Sequence, residues 1–225
     1  MNDQTRKITR RRFLKLTGGI VGVTVLACGG TVAFGLRLPA IEFAKSSCGK
    51  EKTVGEKILI AYASRAGSTG EVAEAIGKGL CDAGVIVDVL RVQEVKDLSS
   101  YQGIVLGSAI RMGKPLPEAV SFAKKHQAAL TNVPVALFSL GTTMNADTPE
   151  RRTTAMSALA PLLQVMKPAS VGLFGGKVDP SKLGGFLRFA LSFIKEGDMA
   201  PGDHRNWEAI RAWAKDLSPL LVSKA

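Results

Sequence analysis

Short apolar runs alternate with amphipathic segments along the chain from residue 57 onward. The apolar runs are rich in strand-forming residues and occupy 58–63, 85–92, 103–109, 133–140 and 170–175. Such short, continuous runs are typical of strands that are covered on both faces of a parallel sheet. The pattern therefore predicts five buried strands.

Segments with a helical spacing of apolar residues separate most of these runs. They occupy 71–76, 118–130, 151–166 and 206–221. Only residues 93–102 lie between the second and third strands, so we expect a very short helix there or none. Strands alternating with helices predict an α/β domain with helices on both faces of the sheet. We place this domain at residues 57–222.

The first forty residues have a different pattern. Residues 9–15, Thr-Arg-Arg-Arg-Phe-Leu-Lys, precede an uncharged stretch at 16–36. Paired arginines before an apolar pair and a lysine resemble a twin-arginine export signal. The 21 uncharged residues, as a helix, would cover about 30 Å, which is the thickness of a bilayer's hydrocarbon core.

Residues 1–40 are therefore predicted to be a twin-arginine signal that either remains as a membrane anchor through residues 16–36 or is cleaved. A small-residue site ends at Ala33, and Cys28 follows a sequence similar to a lipoprotein box, so cleavage and lipidation both stay open. The cationic flank places the domain on the extracytoplasmic side of the membrane, or in the periplasm or medium after cleavage. The polar residues 41–56 are expected to be a linker.

The net charge of +11 is concentrated at the N-terminus, where residues 1–50 carry +7 and the remaining residues only +4. The domain has no basic run with interleaved aromatics, so nucleic-acid binding is not expected. Three scattered cysteines favour neither a disulfide framework nor a zinc site, and Cys81 is expected to be a small core residue. His126 and His204 are isolated, so no metal site is predicted.

The loop after the first strand carries the clearest candidate chemistry. Ser64, Arg65, Ala66, Gly67, Ser68 and Thr69 lie between a strand and a helix. Backbone N–H groups and three hydroxyls can converge there on an anion at the positive end of a helix. A phosphate is the natural ligand, although Ser and Thr at this place also cap helices without binding anything.

The run 60–69 with Ala73 resembles the FMN-phosphate signature of flavodoxins. The similarity extends over residues 57–217 and is greatest to the flavodoxin-domain group that includes the quinone-dependent protoporphyrinogen IX oxidases, through residues 107–113 and 206–208. The resemblance implies a doubly wound five-stranded sheet of order 2-1-3-4-5 that binds FMN. Two residues depart from the family pattern: Ala66 replaces a hydroxyl, and Met112 replaces a tyrosine.

Three loops would hold the FMN in such a fold, those after the first, third and fourth strands. The resemblance assigns cofactor binding to residues 64–69 and to Ser108, Ala109, Ile110, Arg111, Met112, Gly113, Ser139, Leu140 and Gly141. It assigns no catalytic residue.

The resemblance implies an FMN oxidoreductase whose partner is menaquinone or another quinone, and the N-terminal signal implies that it is exported and membrane-associated. The alternative is an anchored flavodoxin-type electron carrier that has no substrate of its own. The apolar stretch at 183–194 is either a buried helix or an exposed element that contacts lipid or a quinone.

Overall fold

The computed structural model describes residues 41–49, 57–182, 197 and 200–222. The predicted signal at 1–40, its cysteine Cys28, and the apolar stretch at 183–194 lie outside these residues. Within the part of the chain that the structure describes, none of the helices combines the length and hydrophobicity needed to span a bilayer.

A parallel sheet forms the centre of the domain. Its strands are β2 (Lys57–Ala63), β3 (Ile86–Arg91), β4 (Gly103–Arg111), β6 (Val135–Leu140) and β7 (Ser170–Phe174). They pair in the order β3-β2-β4-β6-β7, all parallel. Counted along the chain, this is the predicted order 2-1-3-4-5, and the α/β flavodoxin-like fold is confirmed.

Helices cover both faces of this sheet. They are α1 (Ser68–Asp82), α2 (Pro117–Lys125), α3 (Gln127–Leu130), α4 (Pro149–Ala158), α5 (Ala160–Leu163) and α6 (Trp207–Leu221). Helices α1 and α6 pack on one face, and α2, α4 and α5 contribute to the core on the other. No helix forms at 93–102, as expected. The two long helical segments are each divided, at His126 and at Leu159.

Three short strands add to this frame. Lys114–Pro115 (β5) forms a hairpin with the end of β4, and Lys177–Val178 (β8) pairs with Gly202–Asp203 (β9). Ser46–Cys48 (β1) pairs antiparallel with β3 at the edge of the sheet. Residues 41–49, part of the segment expected to be a linker, are therefore packed on the domain. An edge strand can be polar, because its outer side faces solvent.

A disulfide joins Cys48 of this edge strand to Cys81 of α1. Cys81 packs against the core, as expected, but it is also half of a disulfide, which the scattered cysteines did not lead us to expect. The sequence shows two cysteines 33 residues apart, but not that the chain before β2 folds back against α1. The bond fixes Cys48, at the end of β1, to α1 by a covalent link.

Asp88 of β3 connects the edge strand to its neighbours. Its carboxylate accepts hydrogen bonds from Ser47 Oγ at 2.6 Å and Tyr101 Oη at 2.7 Å, and it pairs with Lys57 Nζ at 2.6 Å. Burial alone would raise the pKa of Asp88, but the bonds from Lys57, Ser47 and Tyr101 outweigh burial and hold this pKa below the ordinary value of 3.8. The ionised form is the one that the fold stabilises.

Because the pKa of Asp88 is lower in the folded chain than in the unfolded chain, its contribution to stability is complete above pH 3.8 and is lost as the pH falls through the folded value. We expect Asp88→Asn to lower the free energy of unfolding at pH 7 by about 2 kcal/mol and to flatten its decline in acid. Urea unfolding between pH 3 and 7 measures both effects. The exposed Asp82→Asn is the matched control, and equal acid profiles for the two variants would contradict this role of Asp88.

Candidate functional site

The loop between β2 and α1 is held in shape by its own hydrogen bonds. Ser64 is buried, and its Oγ accepts a bond of 3.0 Å from the N–H of Gly67. Gly67 has φ of 88°, a left-handed conformation that favours glycine, and its carbonyl accepts from the N–H groups of Gly70 and Glu71. The loop is thus a preformed turn at the carboxyl end of a central strand.

Thr69 adds a polar group without a partner to this turn. Its side chain is fully buried, and Oγ1 makes no hydrogen bond to any of the residues that the structure describes. No side chain caps the N-terminus of α1. A buried hydroxyl with no partner costs about 1–3 kcal/mol, so its presence at a helix N-terminus points to a ligand that accepts its hydrogen bond.

A cleft of about 260 Å³ opens beside this loop. Nine of the predicted cofactor-binding residues line it: Ser64, Arg65, Ala66, Ser68, Ala109, Ile110, Arg111, Leu140 and Gly141. Residues from three separate loops therefore converge at one edge of the sheet, as the topology requires for a ligand site.

The remaining predicted residues do not line the cleft. Ser108 is engaged within the protein, where its Oγ accepts from the N–H of Leu116 at 3.0 Å and donates to the carbonyl of Ala109 at 2.9 Å. Ser139 is buried in β6 beside Ser108. Gly67 lies in the turn before α1, and Thr69 lies in the first turn of α1. Neither side of the cleft includes them.

Met112 and Gly113 form the tip of the hairpin between β4 and β5. Both have positive φ, 52° and 72°, which a two-residue hairpin turn requires at both of its positions. Met112 is 93% exposed. The residue that replaces the family's usual tyrosine thus stands clear of the cleft wall in this conformation.

Sequence reasoning missed part of the cleft. The residues that it did not assign are Leu116, Thr142, Gly176, Lys177, Val178 and Asp179. Most of them come from the chain after β7, where the sequence shows no strand, loop or hydroxyl motif. They reach the cleft because β8 folds back beside the ends of β4 and β6.

Positive charge prevails around the cleft. The guanidinium of Arg65 pairs with Glu118 at 2.6 Å, and Lys177 lies 3.9 Å from Asp179. Arg111 is exposed, and no carboxylate among the described residues forms an ion pair with it. A net positive rim favours an anionic ligand.

A larger groove, of about 690 Å³, lies on α4, α5 and β7 and includes Met156, Leu163 and Gln164. It lies away from the carboxyl ends of the strands and from the turn before α1. We therefore assign the ligand site to the smaller cleft, whose lining includes Ser68 at the N-terminus of α1, next in sequence to the unpartnered Thr69.

Comparison with known proteins agrees with the α/β fold described above. Residues 59–205 match the family described as "Flavodoxin domain", which covers more than half of the chain. The chain belongs to the flavodoxin-domain family.

Its curated relatives include proteins named protoporphyrinogen IX dehydrogenase [quinone]. That of Escherichia coli K12 is 25% identical over 175 residues, which covers 73% of this chain and 96% of the relative. That of Leishmania major is 26% identical over 177 residues, with 74% and 77% covered. A solved NADH:FMN oxidoreductase aligns at 15% identity with a TM-score of 0.47, covering 76% of this chain and 92% of its own.

Arg205 is a further residue of this flavodoxin domain that no sequence motif revealed. Its side chain is 2% exposed and pairs with Asp203 at 2.6 Å and with Glu71 at 2.8 Å. It also donates to the carbonyl of Ser68 at 3.3 Å and lies over the ring of Trp207. Arg205 thus ties the hairpin of β8 and β9 to the first turn of α1.

The electrostatics of this cluster favour its charged form. Burial alone would lower the pKa of Arg205, but the hydrogen bonds to Asp203 and Glu71 raise it above its ordinary value. The hydrogen bonds from Arg205 likewise lower the pKa of Asp203. The cluster is therefore a fixed ionic support for the loop rather than a group that titrates near neutral pH.

We expect Arg205→Met to lower the free energy of unfolding by about 2 kcal/mol, because it leaves Asp203 and Glu71 without their shared partner. Arg205→Lys should recover only part of this loss, since one ammonium group cannot replace the planar fork. Urea unfolding measures both variants against Arg211→Met, an exposed position on α6. If Arg205→Lys were as stable as the wild type, the fork geometry would not matter.

Proposed function

We propose that this flavodoxin domain binds FMN and is an exported, membrane-associated oxidoreductase that passes electrons to a quinone. The observation that carries the cofactor assignment is the buried Thr69 hydroxyl without a partner, placed in a preformed turn at the N-terminus of α1. FMN is the cofactor of the flavodoxin family, and its phosphate supplies the acceptor that this hydroxyl lacks.

The residues of the cleft fit the two parts of FMN. Ser64, Ser68 and Thr69 with the first N–H groups of α1 would hold the phosphate, while Ala66 supplies only its backbone. Ala109–Arg111 and Leu140–Gly141 would flank the flavin ring, and the charge of Arg111 favours electron density in it. When bound, FMN supplies a ring that takes up and releases one or two electrons.

The quinone is proposed from the relatives. The proteins of Escherichia coli and Leishmania major are both named as quinone-dependent dehydrogenases of protoporphyrinogen IX, at about one quarter identity. This chain covers most of the length of each. We propose the same acceptor class for this chain and a reduced organic donor of the porphyrinogen type.

An electron carrier without its own substrate is the second candidate. The cleft of about 260 Å³ is smaller than the roughly 300–1,000 Å³ of sites that enclose a drug-sized ligand. A flavin ring would occupy this space and leave little room in the cleft itself for a porphyrinogen. This small volume favours a carrier that exchanges electrons at its surface.

One experiment separates the two candidates. The purified full-length protein, loaded with FMN and reduced, is mixed with a menaquinone analogue, and flavin absorbance is followed with and without protoporphyrinogen. An enzyme catalyses repeated porphyrinogen oxidation, whereas a carrier is reoxidised once and shows no turnover. Absence of reoxidation by the quinone would contradict the proposed acceptor.

Two features support export. Residues 9–15 have the pattern of a twin-arginine signal, a route that carries folded proteins with their cofactors inserted. The disulfide between Cys48 and Cys81 is the kind of bond that persists in an oxidising, extracytoplasmic compartment and is rare in the cytosol. We propose that residues 16–36 hold the domain at the outer face of the cytoplasmic membrane.

If FMN phosphate binds at Thr69, Thr69→Val should weaken FMN binding about tenfold, for one lost hydrogen bond to a charged group. It should not lower the stability of the protein without flavin, since it removes a buried hydroxyl that has no partner. Ser64→Ala should lower both the affinity for FMN and the stability of the protein without flavin, because Ser64 Oγ also accepts a hydrogen bond from Gly67. Fluorescence titration with FMN measures the affinity, and thermal unfolding measures the stability. Thr153→Val, at an exposed position of α4, is the control.

Arg10→Lys with Arg11→Lys should retain the protein in the cytoplasm, because the export machinery reads the guanidinium pair and not the charge alone. Arg12→Lys is the matched control and should be exported. Fractionation of a host with a working twin-arginine system, following both flavin and protein, measures this. Export of the double variant would reject the signal assignment.

A further inference from the structure

The chain that leads into the domain passes along the same edge of the sheet as the candidate site. A side-chain carbon at Gly67 would lie 3.3 Å from the carbonyl of Glu42 and 3.4 Å from Ile41. Arg91 lies over the ring of Phe43 at 3.8 Å, and Tyr62 donates its hydroxyl proton to the carbonyl of Ala44 at 2.7 Å. Residue 41 therefore stands beside the turn that precedes α1.

Contacts at the other end of this segment, at Ser47 and Cys48, also hold it on the domain. From Ile41 the chain runs down the edge of the sheet through β1 to Cys48, which is bonded to Cys81 near the C-terminal end of α1. Ser47 adds its hydrogen bond to Asp88. The disulfide keeps Cys48 on α1 while the bond is intact. Residues 41–47 precede the bond and are held by strand pairing and by the contacts of Tyr62, Asp88 and Arg91.

A second apolar segment joins the domain at the same place. Lys182, the last described residue before the apolar stretch at 183–194, lines a groove of about 610 Å³ together with Ile41–Lys45, Ala66 and Gly67. We name it the tether groove. Ala66 also lines the candidate cleft. The first described residue after the stretch at 16–36 and the last described residue before the stretch at 183–194 thus both line one groove beside the cleft.

The length of chain before the groove is short. If residues 16–36 span the bilayer, residues 37–40 remain to reach Ile41, and four residues extend at most about 14 Å. A domain of this size has a radius of gyration of about 15 Å and a diameter of roughly 40 Å. We call residues 37–40 the tether. While the tether is this short, the opposite edge of the sheet cannot turn toward the lipid.

From this geometry we propose that the carboxyl edge of the sheet, with the candidate cleft, faces the lipid bilayer that the chain itself spans, and that the contacts of residues 41–48 with the domain, backed by the Cys48–Cys81 disulfide, hold this orientation. The inference rests on the proposed anchor. Arg65 and Lys177 on this edge are paired with Glu118 and Asp179, and Glu42, Glu71 and Glu74 line the tether groove beside Lys182. The exposed cations of the hairpin, Arg111 and Lys114, are therefore the ones whose charge complements anionic headgroups. The exposed Met112 lies between two of these cations at the hairpin tip.

The orientation has a consequence for electron transfer. A quinone dissolved in the hydrocarbon core would approach the cleft from the side that the tether already holds against the membrane. With the disulfide intact, release of β1 would extend the flexible chain before the domain from residues 37–40 only to residues 37–47. Without the disulfide, the same release would extend it to residues 37–56. Twenty flexible residues span about 25 Å on average, enough for the domain to rotate.

The test places one fluorophore on each edge of the full-length protein in vesicles. A cysteine is introduced by Lys114→Cys at the cleft edge or Asn132→Cys at the opposite edge, in a Cys28→Ser background, and quenching by spin-labelled headgroup lipids is recorded. We expect quenching about threefold stronger at position 114, because the diameter of the domain separates the two sites. Equal quenching, or stronger quenching at 132, overturns the proposed orientation.

Two further variants test what holds the domain in this orientation. Cys48→Ser with Cys81→Ser should reduce the difference between the two labels. Because that variant could fold poorly, a second one keeps the disulfide and inserts twenty Gly and Ser residues between Pro39 and Ala40, and it should reduce the difference equally. An undiminished difference in the insertion variant contradicts the role of the tether, and an undiminished difference in a folded double Ser variant contradicts that of the disulfide.

Flotation of the same vesicles separates this inference from the function on which it rests. If the protein does not float with the lipid, the anchor itself is wrong and the orientation falls with it. If the protein floats and the two labels are quenched equally, the anchor stands and only the orientation is rejected. Flavin binding is measured on the same samples by absorbance and does not depend on either result.

Discussion

The site depends on the parallel pairing of β2 with β3 on one side and β4 on the other. A strand buried between two neighbours has to end in a sharp turn before a helix can cover the sheet, and here Gly67 makes that turn in a left-handed conformation. The turn leaves the N-terminus of α1 and the hydroxyls of Ser64 and Thr69 at the sheet's edge. Every other part of the cleft is arranged around this one strand end.

The fold was largely predictable because it follows from local patterns. Continuous apolar runs marked each parallel strand to within about two residues at either end, and the missing helix at 93–102 followed from the short spacing alone. The breaks at His126 and Leu159 were not predictable, since the amphipathic spacing continues through both. The site was predictable where a motif carried it, as in residues 64–69, and unpredictable where only tertiary position does, as for Lys177 and Asp179.

Arg205 and Cys48 show why such residues escape sequence reasoning. Each acts on α1 across a long stretch of chain, Arg205 on Ser68 and Glu71 and Cys48 on Cys81. Nothing near either residue in the sequence signals its partner, because the contact exists only after the sheet has formed. A lone arginine after a glycine-rich stretch and a cysteine in a polar segment both look like ordinary surface positions.

These two contacts support the same helix from opposite directions. The disulfide ties α1 to the chain that precedes the sheet, and the Arg205 cluster ties it to the chain that follows β7. A ligand held by the first turn of α1 is therefore linked mechanically to both flanking segments, each of which continues into an apolar stretch. If residues 16–36 anchor the domain as proposed, the geometry of the loop depends on how those two segments are held at the membrane.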